Sequence, residues 1–266
     1  MLSMIRPLNV VLAGATVLLG AWLTDVPLFS LRGELAVLIV MLFTAAGNIM
    51  NDLCDLQSDR VNRPLRALPA GRINLKTASL FYRTGFIAGL VLSLYQSLYW
   101  IAIPALLLIV WYNLQLQKTV LAGNLSVAVL TVLPLWYAAD IRCWPELLLP
   151  SLLILLVQLA REIIKDIEDM KGDSLQAAHT LPLVAGTLSA FLLALVLNLL
   201  LWIVALLSWW MGYYNFILPL AVLLLIMPLT LWGFIRAWRQ AGWRSLQQIL
   251  KLDMIIGFIV IIIGVT

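Results

Sequence analysis

Long apolar runs separated by short polar stretches recur along the whole chain, at roughly 8–24, 35–51, 78–96, 99–115, 120–139, 147–164, 184–208, 215–235 and 249–265. A helix that crosses the hydrocarbon of a bilayer needs about 20 mostly apolar residues. Each run therefore predicts a membrane-spanning helix, and the chain reads as an all-α bundle of nine such helices. The first run follows Arg6 and has the look of a signal peptide, but no small-residue cleavage site comes after it. It is taken as a retained first helix. Pro104, Pro134 and Pro228 fall inside apolar runs, where they predict kinks rather than a binding site.

Composition agrees with the pattern. Of the 266 residues, 63% are hydrophobic and only 11% are charged, and the mean hydropathy is +1.02. No water-soluble domain of this length looks like that, and residues 1–266 read as one polytopic membrane domain. Lys and Arg near helix ends are held on the cytoplasmic side. With nine spans, one face collects Arg6, Arg60, Arg63, Arg66, Arg72, Lys76, Arg83, Lys118, Arg161, Lys165, Lys171, Arg236, Arg239, Arg244 and Lys251, and the other only Arg32 and Arg142. This split places the amino terminus in the cytoplasm and the carboxyl terminus outside, in a multi-pass protein of the inner or plasma membrane. A basic rim against anionic lipid headgroups accounts for the net charge of +4 and the pI near 9.2, with no nucleic-acid partner implied. Cys54 falls on the inner face and Cys143 on the outer, so the two cannot pair across a bilayer.

The acidic residues are distributed differently. Eight of thirteen lie in two windows, Asp52, Asp55 and Asp59, then Glu162, Asp166, Glu168, Asp169 and Asp173. Both windows contain D-x-x-D-x-x-x-D. On a helix, positions 0, +3 and +7 fall within about 60° of one another, so each triplet predicts one acidic stripe. Carboxylates at a membrane helix end are costly unless paired or bound to a cation. Two facing stripes would crowd six negative charges together, which only cations make tolerable. The triplets are offset by 114 residues throughout, as are Asn48 and Glu162 one turn earlier, which suggests two halves related by an internal repeat.

Oxygen-only clusters with no nearby His or Cys pair suit Mg²⁺, and the single histidine, His179, has no partner for a zinc site. Basic residues accompany the acids on the same face: Arg60, Arg63 and Arg66, then Lys165 and Lys171, with Lys118 on a neighbouring loop. Carboxylate-bound Mg²⁺ ringed by Arg and Lys neutralises a diphosphate and makes it a leaving group. Plainer roles stand beside these. The arginines and Lys118 also serve orientation at the interface, and Glu162 and Glu168 can pair with Lys165 or Arg161. Tyr112 also suits an interfacial aromatic belt, and His179 an ordinary loop.

Asn51 to Asp59 followed by Asn62-Arg63-Pro64 and Gly71-Arg72-Ile73 resembles the first aspartate motif of the UbiA superfamily of intramembrane prenyltransferases. Arg161 to Asp169 with Gly172-Asp173 and Thr180-Leu181-Pro182 resembles its second. Within the superfamily, the second stretch is most similar to digeranylgeranylglyceryl phosphate synthases. The resemblance implies a nine-helix bundle with a central cavity open to the cytoplasmic side, and aspartates that hold Mg²⁺ on a prenyl diphosphate. Carried over by residue, it implies metal-binding faces of Asn51, Asp52, Asp55 and Asp59 and of Asp166, Asp169 and Asp173. Arg63 and Lys118 would contact diphosphate oxygens, with Arg72 and Lys171 as further candidates. An allylic cation formed on cleavage needs a dry site with a π-face, for which Tyr112 is the choice. Asn48, one turn deeper than Asp52, would orient a substrate. His179 stands where the family pattern leads us to expect a basic or small residue.

Three functions compete at this point. One is O-alkylation of a prenylated glycerol phosphate, favoured by Arg66, Arg72, Lys165 and Lys171 as cations in excess of what one diphosphate needs. Another is prenylation of an aromatic acceptor, as in quinone, tocopherol or chlorophyll synthesis, with terpene cyclisation a variant on the same scaffold. The third is divalent-cation transport, which is disfavoured by acids confined to one membrane face.

Overall fold

The computed structural model describes residues 2–27, 30–137 and 144–265, so Arg142, Cys143 and the end of the fifth apolar run lie outside the described residues. The chain divides into two compact units, Met1–Leu147 with Lys171–Ala178, and Leu148–Met170 with His179–Thr266. The first holds α1 (Leu2–Ile5), α2 (Pro7–Leu23), α3 (Leu31–Cys54), α4 (Leu56–Asn62), α5 (Leu75–Tyr95), α6 (Tyr99–Leu114), α7 (Ala122–Tyr137) and both ends of α8 (Trp144–Leu175). The second holds the rest of α8, α9 (Leu181–Trp210), α10 (Ile217–Ala221), a π-helical turn at Val222–Ile226, α11 (Met227–Gln240) and α12 (Trp243–Gly264).

Among the described residues, six helices are long and apolar enough to cross a bilayer: Leu31–Cys54, Leu75–Tyr95, Pro145–Leu175, Leu181–Trp210, Ile217–Gln240 and Trp243–Gly264. Three shorter apolar helices, α2, α6 and α7, fall on the first, fourth and fifth predicted runs. Side chains capture the orphan N–H groups at helix starts: Ser30 Oγ accepts from the Gly33 N–H (3.1 Å) and Asn74 Oδ1 from that of Thr77 (2.7 Å). Large apolar side chains such as Leu107, Ile87 and Leu224 remain exposed, which in a membrane protein is the face offered to lipid.

In the first unit α3 packs between α2 and α5, with α7 against α2 and α6. Val17, Ile39, Phe43, Leu98, Ile101 and Tyr137 are buried in its core. Small residues let the backbones close. A Cβ on Gly20 would overlap the Leu135 carbonyl, and one on Gly89 would lie 2.5 Å from the Phe43 ring. Ser93 of α5 and Tyr137 of α7 share a buried hydrogen bond of 3.0 Å. In the second unit Phe191 packs against Phe234, Trp238 and Trp243, with centroids 5.0–6.0 Å away. Buried Asp253 of α12 meets the Thr230 hydroxyl of α11 at 2.7 Å. Pro104 and Pro134 lie within helices, and Pro228 is the second residue after the π turn. With no N–H of its own, Pro228 leaves a carbonyl one turn back unserved, and the wider turn adjusts to that.

The first acidic window departs from the expected single stripe. α3 ends at Cys54, Asp55 forms a joint with φ −86° and ψ 6°, and α4 begins at Leu56, so Asp52 and Asp59 belong to different helices. The N–H groups of Asp55 and Asp59 still donate to the carbonyls of Asn51 and Asp55, both at 2.8 Å, so the joint keeps its backbone bonds. The second window does lie on one helix. Apolarity ends near residue 164, yet α8 continues to Leu175, because charged side chains three and four apart support a polar helix.

Gly172 determines how α4 meets the last turn of α8. Its N–H donates to Asn62 Oδ1 (3.1 Å), and the Ser58 hydroxyl donates to Asp173 Oδ1 (3.4 Å). A Cβ at Gly172 would overlap both Ser58 Oγ and Asn62 Nδ2. Gly172→Ala is therefore expected to lower stability by about 1–3 kcal/mol, the usual cost of overpacking. Adding Asn62→Ala, which removes one of the colliding groups, should restore part of that loss. Thermal unfolding in detergent measures both, and a single variant as stable as wild type would contradict the close approach.

Candidate functional site

The first unit gathers the first motif at the end of α3. Asn51, Asp52 and Asp59 are buried, with Asp59 only 2% exposed. An ionised carboxylate in such a place requires counter-charge. Arg66, on the loop after α4, supplies it twice, its Nη1 lying 2.6 Å from Asp59 Oδ2 and 3.4 Å from Asp52 Oδ1. Arg63 Nη1 stands 4.0 Å from Asp59 Oδ1. A third guanidinium comes from Arg6, whose Nη2 donates to Asp52 Oδ1 (2.6 Å) and Asn51 Oδ1 (3.0 Å). Asn51 Nδ2 in turn donates to Gln117 Oε1 (3.3 Å), on the short 3₁₀ turn Leu116–Lys118. Lys118 and Asp55 both act electrostatically on the Cys54 thiol, which places that loop beside the motif.

Arg6 and Gln117 were not among the residues singled out from sequence. Each lies far along the chain from the acids, and no local spacing signals the contact. Asn48, expected to orient a substrate, donates its amide to the Ile5 carbonyl (2.8 Å) and so fixes α1. Arg66 is engaged by two carboxylates, which removes it from the surplus cations counted from sequence. Arg72 and Lys171 are exposed, and Tyr112 is half-buried on α6. Asp173, the last acid of the second triplet, reaches the first motif's helix through Ser58, the neighbour of Asp59.

The second unit carries Asp166 and Asp169 on α8. Asp169 is buried, as is Glu162 one turn earlier. Glu162 is fully occupied by its own helix. Its Oε1 accepts from Arg161 Nη1 (2.8 Å) and Gln158 Nε2 (3.1 Å), and its Oε2 from Lys165 Nζ (3.1 Å). Lys165 is thereby also withdrawn from the surplus, and Glu162 takes the pairing role read for it as the plainer alternative. Gln158 is a further partner that sequence reasoning missed, although its i, i+4 spacing to Glu162 is a usable signal.

Among the described residues no group of three His, Cys, Asp or Glu side chains is gathered to hold a metal ion. The donor set nonetheless suits a hard cation. It consists of buried carboxylate and amide oxygens, and both guanidinium contacts to Asp52 fall on Oδ1, leaving Oδ2 outside these ion pairs. The negative charge of the first motif is offset here by arginines.

Comparison with known proteins supplies the wider frame. The chain is 30% identical over 270 residues to digeranylgeranylglyceryl phosphate synthase of Saccharolobus solfataricus, covering 99% of this chain and 95% of the relative. It is similar in structure to digeranylgeranylglyceryl phosphate synthase solved in a study of that enzyme in membranes, with a TM-score of 0.72, 27% identity, and 99% and 96% of the two chains covered. A UbiA homologue from Archaeoglobus fulgidus, solved with DMAPP and Mg²⁺, shares the fold at a TM-score of 0.65 with 17% identity and 98% of each chain covered. The profile of the UbiA prenyltransferase family matches residues 13–255, and the chain belongs to that family.

Proposed function

We propose that this prenyltransferase joins a geranylgeranyl group from its diphosphate to the free hydroxyl of a prenylated glycerol phosphate. The observation that carries this reading is the alignment over 99% of the chain with an enzyme named for that product. An aromatic acceptor has no comparable support among the relatives described above. Cation transport gives way to family membership in the prenyltransferases. In the transfer, the C1–oxygen bond breaks with its electron pair leaving on the diphosphate. The glycerol hydroxyl oxygen bonds to C1, and its proton passes to the released diphosphate.

The carboxylates of Asp52, Asp55, Asp59, Asp166, Asp169 and Asp173, with Asn51, are the groups that would hold Mg²⁺. Bound there, Mg²⁺ supplies charge neutralisation to the leaving diphosphate. The Archaeoglobus fulgidus homologue, solved with Mg²⁺ and a prenyl diphosphate, supports that choice of cation. Arg63 and Lys118 bind diphosphate oxygens, and Arg72 and Lys171, both exposed, remain for the phosphate of the acceptor. Tyr112 offers a π-face to the allylic carbon. All nine apolar helices cross the membrane, with the amino terminus and both motifs on the cytoplasmic side and the cavity opening there.

Four measurements test this reading. A reporter fused after residue 25 should lie outside the cytoplasm and one near residue 67 inside, and the reverse would overturn the topology. Turnover should require Mg²⁺ or Mn²⁺, and Asp55→Ala or Asp169→Ala should reduce it by about 10²–10³-fold or more. Asp59→Ala should be less stable, because Arg66 loses its 2.6 Å partner. Finally, purified protein given geranylgeranyl diphosphate and a panel of acceptors should prenylate glycerol phosphates. Exclusive reaction with a hydroxybenzoate or naphthoate would refute the acceptor.

A further inference from the structure

Arg6 belongs to the charge cluster of the first motif although it precedes Asp52 by 46 residues. Its position is built from several sides. Met4, two residues earlier, is 1% exposed and lies in an apolar cluster with Ile49, Ala67, Leu68 and Ala78. The Ile5 carbonyl accepts from Asn48, and Arg6 itself takes left-handed backbone angles, φ 55° and ψ 70°, before Pro7 starts α2. A non-glycine residue held there needs its surroundings to over-determine it. The same apolar cluster includes Ala67 and Leu68, the residues directly after Arg66. One small core thus fixes the backbone beside both arginines that touch Asp52.

A divalent cation and a guanidinium compete for the same oxygens. Mg²⁺ demands ligand oxygens at about 2.0–2.1 Å and octahedral space around it. Arg6 and Arg66 both contact Oδ1 of Asp52, at 2.6 and 3.4 Å, and Arg66 also contacts Asp59 Oδ2 at 2.6 Å. Metal entering this cluster meets two positive charges already on its ligands. A diphosphate changes that balance, because it offers the guanidiniums their own anionic oxygens and so releases the carboxylates to metal.

We infer that Arg6 is a positioning residue that, together with Arg66, occupies the first motif as a resident counter-cation. It keeps Asp52 and Asn51 in place before substrate arrives and makes tight metal binding conditional on diphosphate. Metal and diphosphate therefore bind with positive coupling, each raising the affinity of the other by the same factor. The inference rests on the proposal that these carboxylates hold the metal. It adds that the enzyme alone resists metal because of its own arginines.

The test is Mn²⁺ affinity of the full-length protein in detergent, by calorimetry, with and without inorganic pyrophosphate. Wild type should bind Mn²⁺ weakly alone and more tightly with pyrophosphate. Arg6→Gln should tighten binding of Mn²⁺ alone by about 5- to 150-fold, the usual range of such couplings, and reduce the gain from pyrophosphate. Arg6→Lys should behave as wild type, since both contacts come from the single atom Nη2 and an ammonium can replace it. A residue needed only for folding would not tighten metal binding when removed. Arg66→Gln provides the same measurement should Arg6→Gln fail to fold. Unchanged or weakened Mn²⁺ binding in the variants, with wild type still binding, overturns the inference alone. Absence of Mn²⁺ binding to wild type under both conditions overturns the metal reading beneath it.

Discussion

An ionised carboxylate buried at the end of a membrane helix must have a positive partner, and this requirement organises the first unit. Asp52 and Asp59 obtain theirs from opposite directions along the chain, Arg6 before α2 and Arg66 after α4. The backbone around them follows from the need to hold two long side chains still. Met4 is buried to anchor α1, Asn48 is spent on the Ile5 carbonyl, and Ala67 and Leu68 pin a polar loop into the same apolar cluster. A short hydrophobic core therefore exists where the sequence is otherwise turning polar, because the ion pairs above it need a fixed base.

That network explains why the fold was easier to read than the site. Apolar length is local, so the described part of each apolar run falls on helical chain, and the prenyltransferase family could be named from the two motifs. Where the two differ, polar residues decide. α8 outruns its apolar segment over residues 165–175, where charged side chains stand three and four apart, and hydropathy does not register that support. α3 stops at Asp55, which splits a triplet that spacing alone joins into one stripe. Arg6, Gln117 and the partners of Asn48 are set by contacts between distant segments, which one sequence does not encode in its spacing. The surplus of cations was overcounted for the same reason. Charge can be counted along a chain, but its pairing is a tertiary property.

Gly172 illustrates a residue whose presence was legible and whose reason was not. It appears within the stretch that resembles the second motif, but nothing in the linear pattern says that a side chain there would strike Ser58 and Asn62. Because it has none, the carboxylate of Asp173 comes within reach of the hydroxyl next to Asp59. The acids of two motifs, 114 residues apart in sequence, are joined at one end through a glycine rather than a charge.

The placement of these acids also runs against helix electrostatics. The carboxyl end of a helix carries partial negative charge and favours Lys or Arg. Yet Asp52 lies in the last turn of α3 and Asp173 in the last turn of α8. Helix electrostatics alone gives no reason to put carboxylates there, and α11, which ends with Arg239 in its last turn, follows the ordinary rule. The local preference is violated twice, at Asp52, where Arg6 and Arg66 offset the charge, and at Asp173, which accepts from the Ser58 hydroxyl. Under the proposed function, the same placement suits a prenyl diphosphate. Its apolar tail belongs among the helices and its charged head at their polar ends, where acids can recruit a cation and arginines can meet phosphate. On that reading, the electrostatic penalty of the motif and its affinity for a cation have a single origin in the same carboxylates.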